Sequence, residues 1–180
     1  MNQNLEVEYK VMVSKEEYDR ILKEFPGYHE ITQTNHYYHG NPEGIYFRFR
    51  DLGDHYLFTH KEKAAKGKME FEKEFRRIDL NDPELLSYLA SKNILPPYTE
   101  AASLTTVRRE LDLEDEANLC MDENRYGDIT DYEIEYEITG EKGSLKRFKE
   151  LLKKAGIRYK KSPASKQKRA LEEARRTSDK

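Results

Sequence analysis

Several short stretches of this chain place a charged residue at every second position, a spacing that gathers charge on one side of a strand. In Tyr132–Ile138, Glu133, Glu135 and Glu137 alternate with Tyr132, Ile134, Tyr136 and Ile138. In Lys68–Arg76, Glu70, Glu72 and Glu74 oppose Met69, Phe71 and Phe75. Other stretches are basic. Arg48 and Arg50 oppose Ile45, Phe47 and Phe49, and Lys61 and Lys63 align with Thr59. Leu5–Val13 sets Glu6, Glu8 and Lys10 against Leu5, Val7, Tyr9, Val11 and Val13. Between Thr106 and Leu113, Arg108, Glu110 and Asp112 lie opposite Val107, Arg109, Leu111 and Leu113.

On a single strand this is how the solvated face of an antiparallel sheet reads. The set implies more. Three glutamates on one face repel unless cations stand across from them, and acidic and basic strands of one sheet bring both signs to a common surface. If the sheet closes, that surface lines a barrel interior, which in a packed barrel fills with apolar side chains. A charged lining calls for a polar occupant. Carboxylates suit hard cations such as Mg2+ or Mn2+, which take oxygen ligands and bridge phosphates. Arginine forks clamp phosphate oxygens.

The elements that must position these residues follow from period and punctuation. Leu5–Val13 reads as a strand. Ser14 caps a helix, with Glu17 completing a capping box and Pro26-Gly27 stopping it. Residues 29–39 read as extended. Ile45–Arg50, Tyr56–Lys63 and Met69–Ile78 form an antiparallel meander with turns at 51–54 and 66–67. Asn81-Asp82-Pro83 opens a short helix, and Pro96-Pro97 breaks the chain. Ser103–Leu113, Ala117–Asp122 and Asp131–Thr139 are three further strands. Gly143-Ser144 opens a helix that runs to Ala155, and Ser162-Pro163 starts a last helical segment. The expected class is α+β: an eight-stranded antiparallel barrel with helices packed outside. Residues 1–171 are expected as a single domain, and 172–180 as a helix end with a flexible tail.

Composition narrows the function. Of 180 residues, 37% are charged and 36% hydrophobic, yet 13 Tyr and 7 Phe supply bulk that disordered chains lack. The single Cys excludes a disulfide framework and a multi-cysteine zinc site. Cys120 sits between apolar neighbours and reads as a small buried residue. No apolar run approaches the roughly 20 residues that span a bilayer, and the first residues lack an apolar signal core. A cytoplasmic protein without a membrane partner is expected. Residues 143–180 hold fourteen Lys or Arg against four Asp or Glu, a net +10, which leaves −13 on the remaining 142. A basic end suits a polyanion or a solvated helix. Nucleic acid is disfavoured, because the basic strands lack the aromatic interleaving of a stacking platform. Phosphate-loop and nucleophile-elbow motifs are absent.

Glu6-Val7-Glu8-Tyr9-Lys10 fits the ExExK signature of the CYTH superfamily, the triphosphate tunnel metalloenzymes. The residues that follow resemble that family in order: Gln33, Asn35 and Tyr37-Tyr38; Arg48 and Arg50; Phe58 through Lys61; Glu70 and Glu72; Arg108; Asp122; Glu133 and Glu135; and Ser165-Lys166 with Arg169. The resemblance covers about residues 5–171. It implies a barrel forming a tunnel and hydrolysis of a linear triphosphate with Mg2+ or Mn2+. By that resemblance Glu6, Glu8, Asp122, Glu133 and Glu135 supply the metal side. Lys10, Arg48, Arg50, Lys61, Arg108 and Lys166 hold phosphates, with Glu6, Glu8, Lys10 and Arg108 taken as catalytic. Many relatives carry a lysine where this chain has Thr106, so no general base is assigned, and His39 stands where relatives often have Asp.

Three readings follow. The first is an inorganic triphosphatase acting on tripolyphosphate. The second keeps the fold and changes the substrate to thiamine triphosphate or a nucleoside triphosphate, hydrolysed or, with less support, cyclised. Tyr37, Tyr38, Tyr46 and Tyr126 would then stack on the organic group, or else belong to core and surface. The third is a non-catalytic module that binds triphosphate or polyphosphate.

Overall fold

A computed structural model describes residues 1–161 and 164–179. In order it forms β1 (Asn2–Glu6), β2 (Glu8–Val13), α1 (Lys15–Glu24), β3 (His29–Asn41), β4 (Tyr46–Asp51), β5 (Tyr56–Lys63), β6 (Lys68–Phe75) and α2 (Pro83–Ser91). Then come β7 (Leu95–Leu113), β8 (Ala117–Tyr126), β9 (Ile129–Ile138), α3 (Leu145–Lys154) and α4 (Lys166–Ser178). Nine strands belong to one hydrogen-bonded sheet, where eight were expected. The extra strand arises at Val7, where the alternating run Leu5–Val13 divides into β1 and β2. The Val7 carbonyl accepts from the Ile138 amide at 2.9 Å. Period two runs unbroken through this point, so alternation alone does not reveal the division.

Two other boundaries differ. β7 starts at Leu95 and carries Pro96-Pro97 within its first turn of pleat, rather than beginning at Ser103. Proline holds an extended φ and removes only a donor, which the start of a strand tolerates. The segment expected as helix end and tail is helical to Ser178. The expected helix start at Ser162-Pro163 lies outside the described residues, as does Lys180. No helix among the described residues is long and apolar enough to cross a membrane.

The chain divides into two compact units, one of 1–5, 33–104 and 166–180, the other of 6–32 and 105–165. In the first the hydrogen-bonded order is β1-β6-β5-β4-β3-β7; in the second it is β3-β7-β8-β9-β2, with β3 and β7 shared. The first unit buries Phe47, Phe49 and Phe58 against Leu85 and Leu89 of α2. Phe58 lies 5.7 Å from both Phe47 and Phe49 between ring centroids, the offset and edge geometry aromatic quadrupoles favour. The second unit packs α1 and α3 on the apolar sides of β2, β8 and β9. Val11, Leu119, Met121, Ile134 and Tyr136 meet Tyr18, Ile21, Phe148 and Leu152 there. The Ser14 capping box is formed, with the Glu17 amide donating to Ser14 Oγ at 3.1 Å and the Ser14 amide to Glu17 Oε1 at 2.9 Å. In each unit most aromatic and aliphatic alternates take the helix side of the sheet, Tyr37 and Leu57, opposite Arg48 and Arg50, being exceptions. The charged alternates are thereby left on the other.

His60 breaks the apolar side of β5. It is 4% exposed, and its Nδ1 lies 2.7 Å from the Tyr88 hydroxyl. Burial holds this imidazole below its ordinary value of 6.5, with Glu62 pulling upward and Lys92 downward. The unfolded chain therefore takes up the proton first as pH falls. His60 leaves stability intact above about pH 6.5 and removes it as pH drops from there through the folded value. The thermal midpoint of the protein is expected to fall more steeply between pH 7 and pH 5 than that of His60→Gln. Equal slopes would exclude His60 as the source.

Candidate functional site

In the second unit the register of β8 and β9 is set by a two-residue loop, Gly127-Asp128. Tyr126 pairs with Ile129 across it, and Gly127 takes φ +55°, which glycine adopts without steric cost. That register sets Asp122 opposite Glu133, Cys120 opposite Glu135 and Asn124 opposite Asp131. β7 adds Arg108 opposite Asp122, Glu110 opposite Cys120 and Thr106 opposite Asn124. β2 adds Lys10 opposite Glu135 and Glu8 opposite Glu137. Directly opposed residues of antiparallel strands share a face, so all of these belong to one charged surface.

Its centre is a carboxylate cluster. Asp122, Glu133 and Glu135 each offer an oxygen within 4.8 Å of the others, and Asp122 and Glu133 are fully buried. Arg108 forks onto Asp122, with Nε to Oδ1 at 2.9 Å and Nη2 to Oδ2 at 2.8 Å. The same Nη2 donates to Glu135 Oε2 at 3.4 Å. Asn124 Nδ2 donates to Glu133 Oε1 at 2.9 Å and Asp131 Oδ1 at 3.0 Å. Burial opposes the charge of Arg108, but Asp122, Cys120 and Glu135 outweigh it and hold the guanidinium well above the ordinary arginine range. Arg109, one residue on, turns to the helix side and donates to the Tyr18 hydroxyl at 3.0 Å and to Glu30 at 3.1 Å. Burial pushes the Tyr18 phenol up to about 12, with Arg109 acting against it.

Cys120 is buried, as expected, but not on the apolar side. Leu119 and Met121 take the core, and the thiol faces the charges, 3.7 Å from Glu110 Oε1. Burial pushes this thiol well above its ordinary value. Asp122, Glu135 and Glu110 add to that, and Arg108 opposes it. It remains protonated and is a poor nucleophile.

Of the five carboxylates expected on the metal side, Asp122, Glu133 and Glu135 are brought together. Glu8 is on the same face in the row of Glu137, and Glu6 ends β1 just before the division at Val7. Lys10 and Arg108 border the cluster through their opposed partners. Carboxylates this close repel one another, and Arg108 offsets part of that charge through its pairing with Asp122 and Glu135. A donor set made of anionic oxygens fits a hard divalent cation better than a soft or imidazole-seeking one.

The first unit carries a second charged face. Arg48 lies opposite Thr59 and Tyr37, and Arg50 opposite Asn35. Lys61 lies opposite Glu70, with Nζ at 3.0 Å from Oε1. Arg50 Nε donates to Asn35 Oδ1 at 2.8 Å, and Asn35 Nδ2 donates to the Tyr37 hydroxyl at 3.1 Å. Arg48 Nε, Gln33 Nε2 and Thr59 Oγ1 are buried without a hydrogen-bond partner among the described residues. Buried donors of this kind carry a desolvation cost that an anionic acceptor would offset. Lys166 is the first residue of α4 and is buried. Asn124 and Asp131 are missed as site residues by the sequence reading, and Thr106 is noted there only as standing in place of a lysine. Extending β8 by one further alternate past Asp122 finds Asn124, and the Gly127-Asp128 loop was the signal for that extension.

A family model described as the CYTH domain matches residues 4–171. Among solved structures, a Bacillus halodurans protein provisionally called an adenylate cyclase superposes with a TM-score of 0.75 at 25% identity, over 92% of this chain and 96% of that one. A Hippeastrum protein, provisionally called an adenylyl cyclase and described as having a dominant triphosphatase activity, gives 0.65 at 22% identity, over 90% and 93%. The PH1819 protein of Pyrococcus horikoshii gives 0.65 at 16% identity, over 93% and 99%. None of the curated proteins compared matches the chain.

Proposed function

The chain belongs to the CYTH-domain family, and from that membership and its buried carboxylate cluster we propose that it hydrolyses a linear triphosphate, inorganic tripolyphosphate first, with Mg2+ or Mn2+. The observation that carries the reading is Asp122, Glu133 and Glu135 with oxygens within 4.8 Å. Those three, with Glu6 and Glu8, would hold the cation. Bound there, it would supply Lewis-acid withdrawal of charge from phosphate oxygens.

The remaining roles belong to the cationic side chains. Arg108, anchored on Asp122 by two hydrogen bonds, keeps a fixed guanidinium beside the cluster. Lys10 adds an ammonium from β2, opposite Glu135. Both are assigned to stabilising charge on a transferring phosphoryl group. In the first unit Arg48, Arg50, Lys61 and Lys166 are assigned to phosphate oxygens. The buried Arg48 Nε supports that assignment. Thr106 offers no basic nitrogen, so the side chains of this face include no assigned general base. The provisional names of two similar structures favour a second reading, a nucleoside triphosphate as substrate.

The test is phosphate release from tripolyphosphate, ATP and thiamine triphosphate, each with Mg2+, Mn2+ or EDTA. The expected result is metal-dependent release, greatest from tripolyphosphate. Faster turnover of ATP, with phosphate or diphosphate as product, would select the second reading. No release from any substrate, with tripolyphosphate still raising the thermal midpoint, would make the protein a binding module.

A further inference from the structure

We propose that Thr106 and Asn124 are positioning residues that fix how Glu133 presents its carboxylate to the divalent cation, an inference that rests on the function proposed above. Thr106, Asn124 and Glu133 are all fully buried. The Thr106 hydroxyl donates to Asn124 Oδ1 at 2.7 Å. A carbonyl oxygen can only accept, so the hydroxyl is the donor of this bond; it could equally accept from Nδ2, and the choice between the two amide orientations falls to the carboxylates of β9. With Oδ1 held toward β7, the two hydrogens of Nδ2 point at the carboxylates of β9. One goes to Glu133 Oε1 at 2.9 Å and one to Asp131 Oδ1 at 3.0 Å. Asp131 is itself held at its other oxygen by the Tyr126 hydroxyl, 2.6 Å away.

The strand register makes this row a continuous one, Thr106 opposite Asn124 and Asn124 opposite Asp131. Turning the amide over would place Oδ1 against two carboxylate oxygens, an arrangement of acceptors without a proton between them. The low dielectric around the fully buried Glu133 makes that repulsion costly. Thr106 therefore acts through Asn124. Its hydroxyl anchors the amide at Oδ1 in the orientation the carboxylates require, and the anchored amide holds one oxygen of Glu133. Groups that orient metal ligands in this way typically change metal affinity by about 10–100-fold when removed.

The experiment is calorimetric titration of Mn2+ into the wild type, Thr106→Val, Thr106→Ser and Glu133→Gln, with thermal midpoints in EDTA measured beside it. Valine keeps the shape of threonine and deletes the hydroxyl; serine keeps the hydroxyl. The expected result is Mn2+ binding about 10–100-fold weaker in Thr106→Val and near wild type in Thr106→Ser. In turnover, the metal concentration for half-maximal rate would rise in Thr106→Val while the rate at saturating metal stays close to that of the wild type. Wild-type affinity in Thr106→Val would overturn the positioning role and leave the metal site standing. Equal weakening in Thr106→Ser would also overturn it, since packing and not the hydroxyl would then be responsible. Wild-type protein that binds no Mn2+, or binds it unchanged in Glu133→Gln, would overturn the underlying reading of the cluster, and the positioning role with it.

Discussion

Glu133→Gln is expected to lose metal-dependent phosphate release by a factor on the order of 10² or more, the scale on which removal of one preorganised electrostatic group acts, while becoming more stable without metal. The two effects share one cause. Glu133 is fully buried and shares a space of 4.8 Å with Asp122 and Glu135. Like charges this close repel one another, and Gln keeps the size of the side chain and an acceptor for the Asn124 amide. Relief of the repulsion is expected to raise the midpoint in EDTA by roughly 2–4 °C, as about 1 kcal/mol does for a chain of this size. The gain in midpoint that Mn2+ gives the wild type should shrink in the variant, because the cation stabilises only the state that binds it. Scanning calorimetry in EDTA and in Mn2+, beside the phosphate assay, reads all three. Unchanged phosphate release would remove Glu133 from the chemistry. A lower midpoint in EDTA would show that its charge is balanced within the fold, so no cation would be needed there.

The faces that carry these residues were legible because strand alternation is a local property. Glu133 and Glu135 on one side of β9, and Tyr136 and Ile134 on the other, follow from period two alone. The capping box at Ser14 is equally local. What escaped depends on pairing. The division at Val7 is invisible in an alternation that runs straight through it, yet it gives β1 a partner in β6 and β2 a partner in β9. The apolar flanks of Cys120 suggested the core, whereas the cross-strand partners Glu110 and Glu135 place the thiol among charges. The sequence reading ends this strand at Asp122, whereas β8 runs on to Tyr126 through the polar Glu123-Asn124-Arg125. The two-residue turn beyond it extends the ladder and brings Asn124 beneath Glu133. The metal-side residues from β8 and β9 converge because they neighbour one another across a single ladder. Glu6 and Glu8, from β1 and β2, stand outside the carboxylate group of 4.8 Å.

Arg108→Met is expected to cost about 3–5 kcal/mol of stability in EDTA, the range for stripping one partner from a buried ion pair. The fork from Arg108 brings a balancing charge to a fully buried Asp122, at 2.9 and 2.8 Å. Without it, Asp122 loses both of those charge-assisted hydrogen bonds beside Glu133 and Glu135. Methionine retains most of the apolar bulk, so the loss is mainly electrostatic. Two companion measurements separate charge from packing. Adding Asp122→Asn to Arg108→Met should restore most of the stability, because removing both members of a buried pair is commonly near neutral. Adding Mn2+ to the single variant should restore part of it, because the cation would take over the neutralising role of the arginine. Denaturant unfolding of the four forms, with and without Mn2+, gives the coupling energy directly. A double variant as unstable as Arg108→Met would assign the loss to packing. Recovery with Asp122→Asn but none with Mn2+ would mean that the cluster is an arginine-bound structural site. The proposed catalysis would then have to use other carboxylates, and Glu8, in the row of Glu137 on β2, would be the first to substitute.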